Sequence, residues 1–313
     1  MGIASFKQRC ERQRLSKRSS LKYNENENIN DLWLASTVRN TNINPDSLLI
    51  NHSAKVAKKL LINSQIQSAE SHLFALGCQG AITKIVSEIV PSNFITDWST
   101  TVNNLPGFLF NFVRKAMQQQ LPTLSNLVRW GKTVSDQCPL CCSHSQTNKH
   151  ILSNCANPLA LERYSSRHDR ILELIANWFR FKVHNNIDIF ADLRNSKFKQ
   201  CSDLFSGLRP DLAFVKGDTV HVLELTVCHE TNLVSSRNYK LDKYKSLANH
   251  KSNLIEQHRI IVSTCELSVL GFLSIDPAVL LFLNIDKFDS VFRDALTRSA
   301  IQSSFDIYLS RNC

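Results

Sequence analysis

Apolar residues recur at helical spacing along the first half of the chain and shift toward strand-like runs in the second. Val56, Ala57, Leu60 and Leu61 mark one helix, Leu109, Phe112, Val113 and Ala116 another, and Leu124, Leu127 and Val128 a third. Pro122 starts this last helix and Gly131 stops it. Further on, Ile171, Leu172, Leu174, Ile175, Trp178 and Phe179 form the apolar face of a long helix, with Arg170, Arg180 and Lys182 on its polar side. Residues 212–215 and 219–227 then read as strands, the second rich in β-branched side chains. Between them Gly217-Asp218 fits a tight two-residue hairpin turn with glycine first. In residues 239–247, Leu241, Tyr244 and Leu247/Ala248 return to helical spacing and predict a lysine-rich helix packed on the hairpin. Residues 260–262 and 267–272 read as further strands, and 288–299 and 301–309 as closing helices.

The hairpin brings the first chemistry into view. With the turn at Gly217-Asp218, residues whose numbers sum to 435 face each other, and Asp211 and Glu224 are such a pair. Directly opposed Cβ atoms lie about 4.5–5.5 Å apart, so both carboxylates point at one spot. Like charges that close repel unless a cation lies between them or one takes up a proton. Oxygen ligands so spaced suit Mg²⁺, with Mn²⁺ as an equal alternative. A carboxylate set among Val222, Leu223, Leu225 and Val227 is costly to bury unpaired. A lysine nearby, Lys240 or Lys243, would orient an attacking water or steady charge on a phosphate. His229 and Glu230, just beyond the strand, are either helpers of this site or a polar strand end.

Composition fits such a role. The chain of 313 residues allows about two ordinary domains, and 43% hydrophobic residues are enough to build cores. A net charge of +10 and a pI near 9.2 favour a polyanionic partner, DNA or RNA. The polar, basic N-terminus lacks the look of a secretory signal. The longest apolar stretch, residues 267–285, is interrupted by Ser268, Ser274, Asp276 and Pro277, which excludes it as a membrane span. Ten cysteines in an intracellular-looking chain point to metal binding and buried thiols rather than disulfides. Four zones result: a basic, disordered arm over 1–30, a helical packing or linker region over 31–130, a small zinc unit over 131–158 and an α/β domain over 159–313. The arm reads equally as a nuclear-import or nucleic-acid patch and as a solvated tail.

The zinc unit is the most specific local signal. Cys138, Cys141, His150 and Cys155 have the spacing C-x₂-C-x₈-H-x₄-C, a full tetrahedral ligand set for Zn²⁺. Cys142 and His144 compete within the same loop. A unit this small folds only around its metal. Knuckles of this size commonly touch nucleic acid, and a purely structural staple is the alternative role.

Trp130-Gly131, Cys138-Pro139-Leu140-Cys141, the run from Thr147 to Leu152 with Cys155, Arg167-His168-Asp169, Arg209-Pro210-Asp211, Glu224-Leu225-Thr226-Val227 and Lys240-x-x-Lys243-Tyr244 together resemble one family. It is the C-terminal part of the open reading frame of non-LTR retrotransposons that carry a restriction-like endonuclease. The resemblance covers about residues 100 to 300 and holds in motif order as well as spacing. It implies a PD-(D/E)XK-type core, a mixed sheet flanked by helices, preceded by a CCHC knuckle. It implies nicking of target DNA in the nucleus, so that the exposed end primes reverse transcription. Asp211 and Glu224 would be metal ligands, and Lys240 the catalytic lysine displaced onto the following helix, with Thr226 where many relatives place it. Arg167, His168 and Asp169 match a motif of auxiliary role, and Arg209 and Tyr244 flank the site. The family also places a reverse transcriptase upstream of the knuckle. The nearest string to its Tyr/Phe-Ala-Asp-Asp motif is Phe190-Ala191-Asp192-Leu193, with one aspartate, so this chain is expected not to copy RNA by itself, and supply of a polymerase in trans stays open.

Two expectations of different class follow. One is a metal-dependent DNA endonuclease. The other is a catalytically inactive, retroelement-derived zinc-knuckle protein that binds nucleic acid.

Overall fold

The hairpin lies at the middle of a five-stranded mixed sheet. The computed structural model describes residues 52–183, 187–193, 197–205, 208–245 and 258–312, with isolated positions among the first 19. The expected basic arm thus lies almost entirely outside the described residues. The chain divides into two units, 1–77 and 78–313. In the first, α1 (Ala54–Ala75) buries Ala57, Leu61 and Gln65. Gln65 Oε1 accepts from Arg12 Nε at 2.8 Å, and its Nε2 donates to Glu11 Oε2 at 2.8 Å. The buried stripe runs one position off the expected one, leaving Val56 and Leu60 on its exposed margin.

The second unit opens with four helices, α2 (Ala81–Ile89), α3 (Ser92–Asn103), α4 (Gly107–Met117) and α5 (Leu124–Arg129). In α4 the buried residues are Leu109, Phe112, Val113 and Ala116, as the periodicity predicts. The Thr123 side chain caps α5. Gly131, at φ +68°, donates to Val128 O while Lys132 donates to Leu127 O, closing the helix with a Schellman turn.

Helix α6 (Pro158–Lys182) leads into the strands β1 (Asp188–Ala191), β2 (Leu212–Lys216) and β3 (Thr219–Cys228). Helix α7 (Leu233–Tyr244) crosses to β4 (Arg259–Ser268), which turns into β5 (Leu273–Ile275). Helices α8 (Pro277–Phe282) and α9 (Ser290–Leu309) follow. The strand order is β1-β2-β3-β4-β5, with β3 and β4 parallel and the other pairs antiparallel. Alternation splits the strands between two cores. Leu223 and Leu225 join Ile171, Ile175 and Phe179 of α6 and Leu296 of α9 on one face. Val220 and Val222 join Phe190, Ala213 and Tyr244 on the other. Helices α2 to α4 share a further core with α9 and the β4–β5 turn, through Ile82, Phe112, Phe272, Ile301 and Tyr308.

Three expectations are corrected. The strand expected over 267–272 is broken: Gly271 at φ +84° donates to Ser268 O, and Ser268 N donates to Phe272 O, making a tight turn between β4 and β5. The two closing helices are one, α9, because nothing between Ser299 and Ile301 breaks helical geometry and the small Ser299, Ser303 and Ser304 are buried on it. The lysine helix begins at Leu233, before the periodic stretch that predicts it, while Leu247 and Ala248 lie outside the described residues. Strand β1 was not anticipated: its four residues make sense only through pairing with β2, as in Phe190 with Ala213.

Candidate functional site

The hairpin register is the predicted one, with Leu212 opposite Leu223 and Lys216 opposite Thr219. Gly217 takes φ +60°, a conformation that glycine adopts without strain. Continued one step past β2, the register brings Asp211 against Glu224. Asp211 N donates to Glu224 Oε1 at 3.0 Å, and Leu225 N donates to Asp211 Oδ2 at 2.8 Å. Each carboxylate is therefore fixed by the other residue's strand. Lys240, one turn before the end of α7, donates to Glu224 Oε2 at 2.6 Å and lies 3.4 Å from Asp211 Oδ2. From α6, His168 Nε2 lies 3.5 Å from Asp211 Oδ1.

These contacts separate the two acids. Burial pushes both carboxyls up. For Asp211 the hydrogen bond and charge of His168, the charge of Lys240 and the Leu225 N–H outweigh it and hold the carboxyl below its ordinary range. Glu224 is pushed up to about 7 by burial and by the charge of Asp211, with Lys240 opposing. Burial lowers His168 and Lys240, yet their carboxylate partners carry both above their usual values. The site thus holds one firm carboxylate and one poised near neutral pH with the Lys240 ammonium against it.

The other predicted residues take different places. Tyr244 is buried and donates to Arg209 O at 3.3 Å, closing the site from below. Lys243 Nζ donates to the Tyr244 hydroxyl at 3.2 Å rather than to the acids. Arg209 pairs with Asp192 at 2.5 Å at the rim. Asp169 is exposed and faces His168 Nδ1 at 3.2 Å. Arg167 points away, buried, to Ser304 Oγ at 3.2 Å. His229 and Glu230 are buried too, and Glu230 Oε1 accepts from Leu270 N at 2.9 Å, which is a strand-end role. Arg237, not singled out in the sequence, reaches Glu266 Oε2 and Ser274 Oγ, each at 2.6 Å. No local spacing signals that contact, because it joins α7 to two strands.

The knuckle is built by short-range turns. Cys138 N donates to His144 O and Cys142 N to Cys138 O, both at 2.8 Å, and Cys142 itself adopts φ +52°. A π-helical turn over His150–Asn154 presents His150, whose backbone N–H donates to Thr147 Oγ1 at 3.1 Å. The ligand atoms of Cys138, Cys141, His150 and Cys155 all lie within 4.8 Å of one another. Cys141 Sγ is 3.4 Å from His150 Nε2, and ligands of tetrahedral zinc sit roughly 3.5–3.8 Å apart given its bond lengths. The donor set fits Zn²⁺. Hydrogen bonding from Ser143 outweighs burial and lowers the Cys141 thiol to about 5, whereas burial and the neighbouring sulfurs raise Cys155 to about 11. The competing residues are excluded: Cys142 is exposed with its thiol toward Pro139 O, and His144 faces Ser143 Oγ at 2.9 Å. Tyr164 of α6 clamps the unit. Its hydroxyl donates to Ile151 O at 2.6 Å and accepts from Cys155 N at 3.3 Å.

Residues 93–160 match the family model described as zinc-binding in reverse transcriptase. That segment runs from α3 through the knuckle into α6, so the chain carries a zinc-binding domain of reverse-transcriptase-related proteins with Cys138, Cys141, His150 and Cys155 as its cluster. No curated protein matches the chain. Among the described residues, no helix is long and apolar enough to cross a membrane.

Proposed function

We propose that this chain is a retroelement-derived DNA endonuclease with a restriction-like core, acting in the nucleus with Mg²⁺ or Mn²⁺ held by Asp211 and Glu224. The observation that carries the reading is the convergence of Lys240 on both carboxylates, at 2.6 Å and 3.4 Å. The donors fit the metal: two facing, mostly buried carboxylates offer hard oxygen ligands. When bound, the cation supplies a water of lowered pKa and polarises a phosphoryl oxygen.

The chain's own residues do the rest. His168 and the Leu225 N–H hold the Asp211 carboxylate in place, and the Asp211 N–H holds Glu224. Lys240 Nζ has a third N–H with which to orient the attacking water or neutralise charge on the phosphate. The crossover helix behind the acid-bearing hairpin supports the restriction-like core. The net charge of +10 supports DNA as substrate, with RNA as a second partner, and the zinc-binding segment supports the retroelement origin.

The test incubates the chain with supercoiled plasmid and Mg²⁺ beside Asp211→Ala. Wild type is expected to nick the plasmid, and the variant to be slower by about a hundredfold or more. Equal, negligible cutting by both proteins would overturn the reading and leave a nucleic-acid-binding zinc protein.

A further inference from the structure

Beside the acid pair lies an open groove of about 300 Å³, lined by Thr226, Ser235, Ser236, Tyr239 and Lys240. None of the five is acidic, although the groove borders two carboxylates. It offers one unused donor. Lys240 commits two of its three N–H groups to Glu224 and Asp211 and keeps one. Tyr239, just before Lys240 on α7, is 68% exposed, and among the described residues no ring or cation contacts it. A cationic donor for an anion and an aromatic face, at the lip of one small groove, match the two halves of a nucleotide.

We propose that this groove seats one unpaired nucleotide of the DNA strand, with its base stacked on Tyr239 and its phosphate on Lys240. The inference rests on the endonuclease reading for its substrate. A groove of 300 Å³ is at the small end of ligand sites and takes a single nucleotide, not a duplex. A paired base has both faces covered by its neighbours, so only an unpaired one has a face free for the ring. Stacking of this kind tolerates any base. Tyr239 is then a positioning residue that makes the site prefer frayed, bulged or single-stranded DNA.

The test measures equilibrium binding without cleavage. The full chain, with Ca²⁺ replacing Mg²⁺, is titrated against a fluorescent thymidine 15-mer and against a blunt duplex. Tyr239→Ala should weaken single-strand binding by about tenfold, Tyr239→Trp should restore it, and duplex affinity should stay within twofold. Unchanged single-strand affinity in Tyr239→Ala, or equal weakening on both substrates, overturns the proposal. Because Tyr239 is largely exposed, its loss spares the core, and a melting curve checks this. Plasmid nicking on the same preparation reports the endonuclease reading separately: an intact plasmid with a Tyr239-dependent strand preference sinks the cutting and keeps the groove.

Discussion

His168 lies between two acids: its Nε2 is 3.5 Å from Asp211 Oδ1 and its Nδ1 is 3.2 Å from Asp169 Oδ1. With a carboxylate at each ring nitrogen the imidazolium is favoured, and its charge helps to hold Asp211 ionised and oriented. Groups that orient a metal-ligating carboxylate are worth about ten- to a hundredfold in activity or metal affinity. His168→Ala should therefore slow plasmid nicking by that factor, while Asp169→Asn, at an exposed position, should slow it less than threefold or so. Initial nicking rates at saturating Mg²⁺ decide; equal effects of the two substitutions would deny His168 its role.

Zinc content separates the four knuckle ligands from their neighbours. Elemental analysis should find one zinc per chain, lost in Cys155→Ser and kept in Cys142→Ser, because Cys142 faces solvent and Pro139 O. Chelation should release the segment around the knuckle to proteolysis while the sheet stays folded, since a unit of this size depends on its metal.

Acid stability reports on a group outside both sites. His221 is buried on β3 with Nε2 2.8 Å from Ser263 Oγ, and Ser263 donates in turn to Asp276 Oδ2 at 3.0 Å. Burial lowers its pKa to about 4, with Asp276 opposing. The unfolded chain, with an ordinary histidine near 6.5, binds the extra proton first. Stability from this group is thus intact above about pH 6.5 and falls by about 3 kcal/mol on the way to pH 4. Urea melts across that window should show the loss, and His221→Gln should flatten it.

Gly271 is irreplaceable on two counts. Its φ of +84° disfavours any other residue, and a Cβ there would meet Thr297 Cγ2 at 2.8 Å and Thr297 Cα at 3.0 Å. Gly271→Ala should cost about 2 kcal/mol or more, seen as a lower urea midpoint with unchanged slope.

The parts of the molecule legible in the sequence are those set by local spacing. A glycine-led turn defines the hairpin register, so the pairing of Asp211 with Glu224 is readable from numbers alone. The knuckle closes through contacts within eighteen residues, from Cys138 to Cys155, and its ligand set is equally plain. The Schellman close of α5 needs only Gly131. What escapes is set by distant partners. Strand β1 exists through β2, and the break at Gly271 exists because Trp98, from α3, stacks on Phe272 at 4.1 Å and donates to Leu270 O at 2.7 Å. Lys243 looks equivalent to Lys240 in sequence, and only the helix face assigns one to the acids and the other to Tyr244.

Tyr164 and His168 stand one helical turn apart on α6, the first gripping the knuckle and the second touching Asp211. Four residues of α-helix advance about 6 Å, with no linker in between. The helix is thus a ruler: the zinc unit and the acid pair stand at a fixed offset, set by one rigid turn.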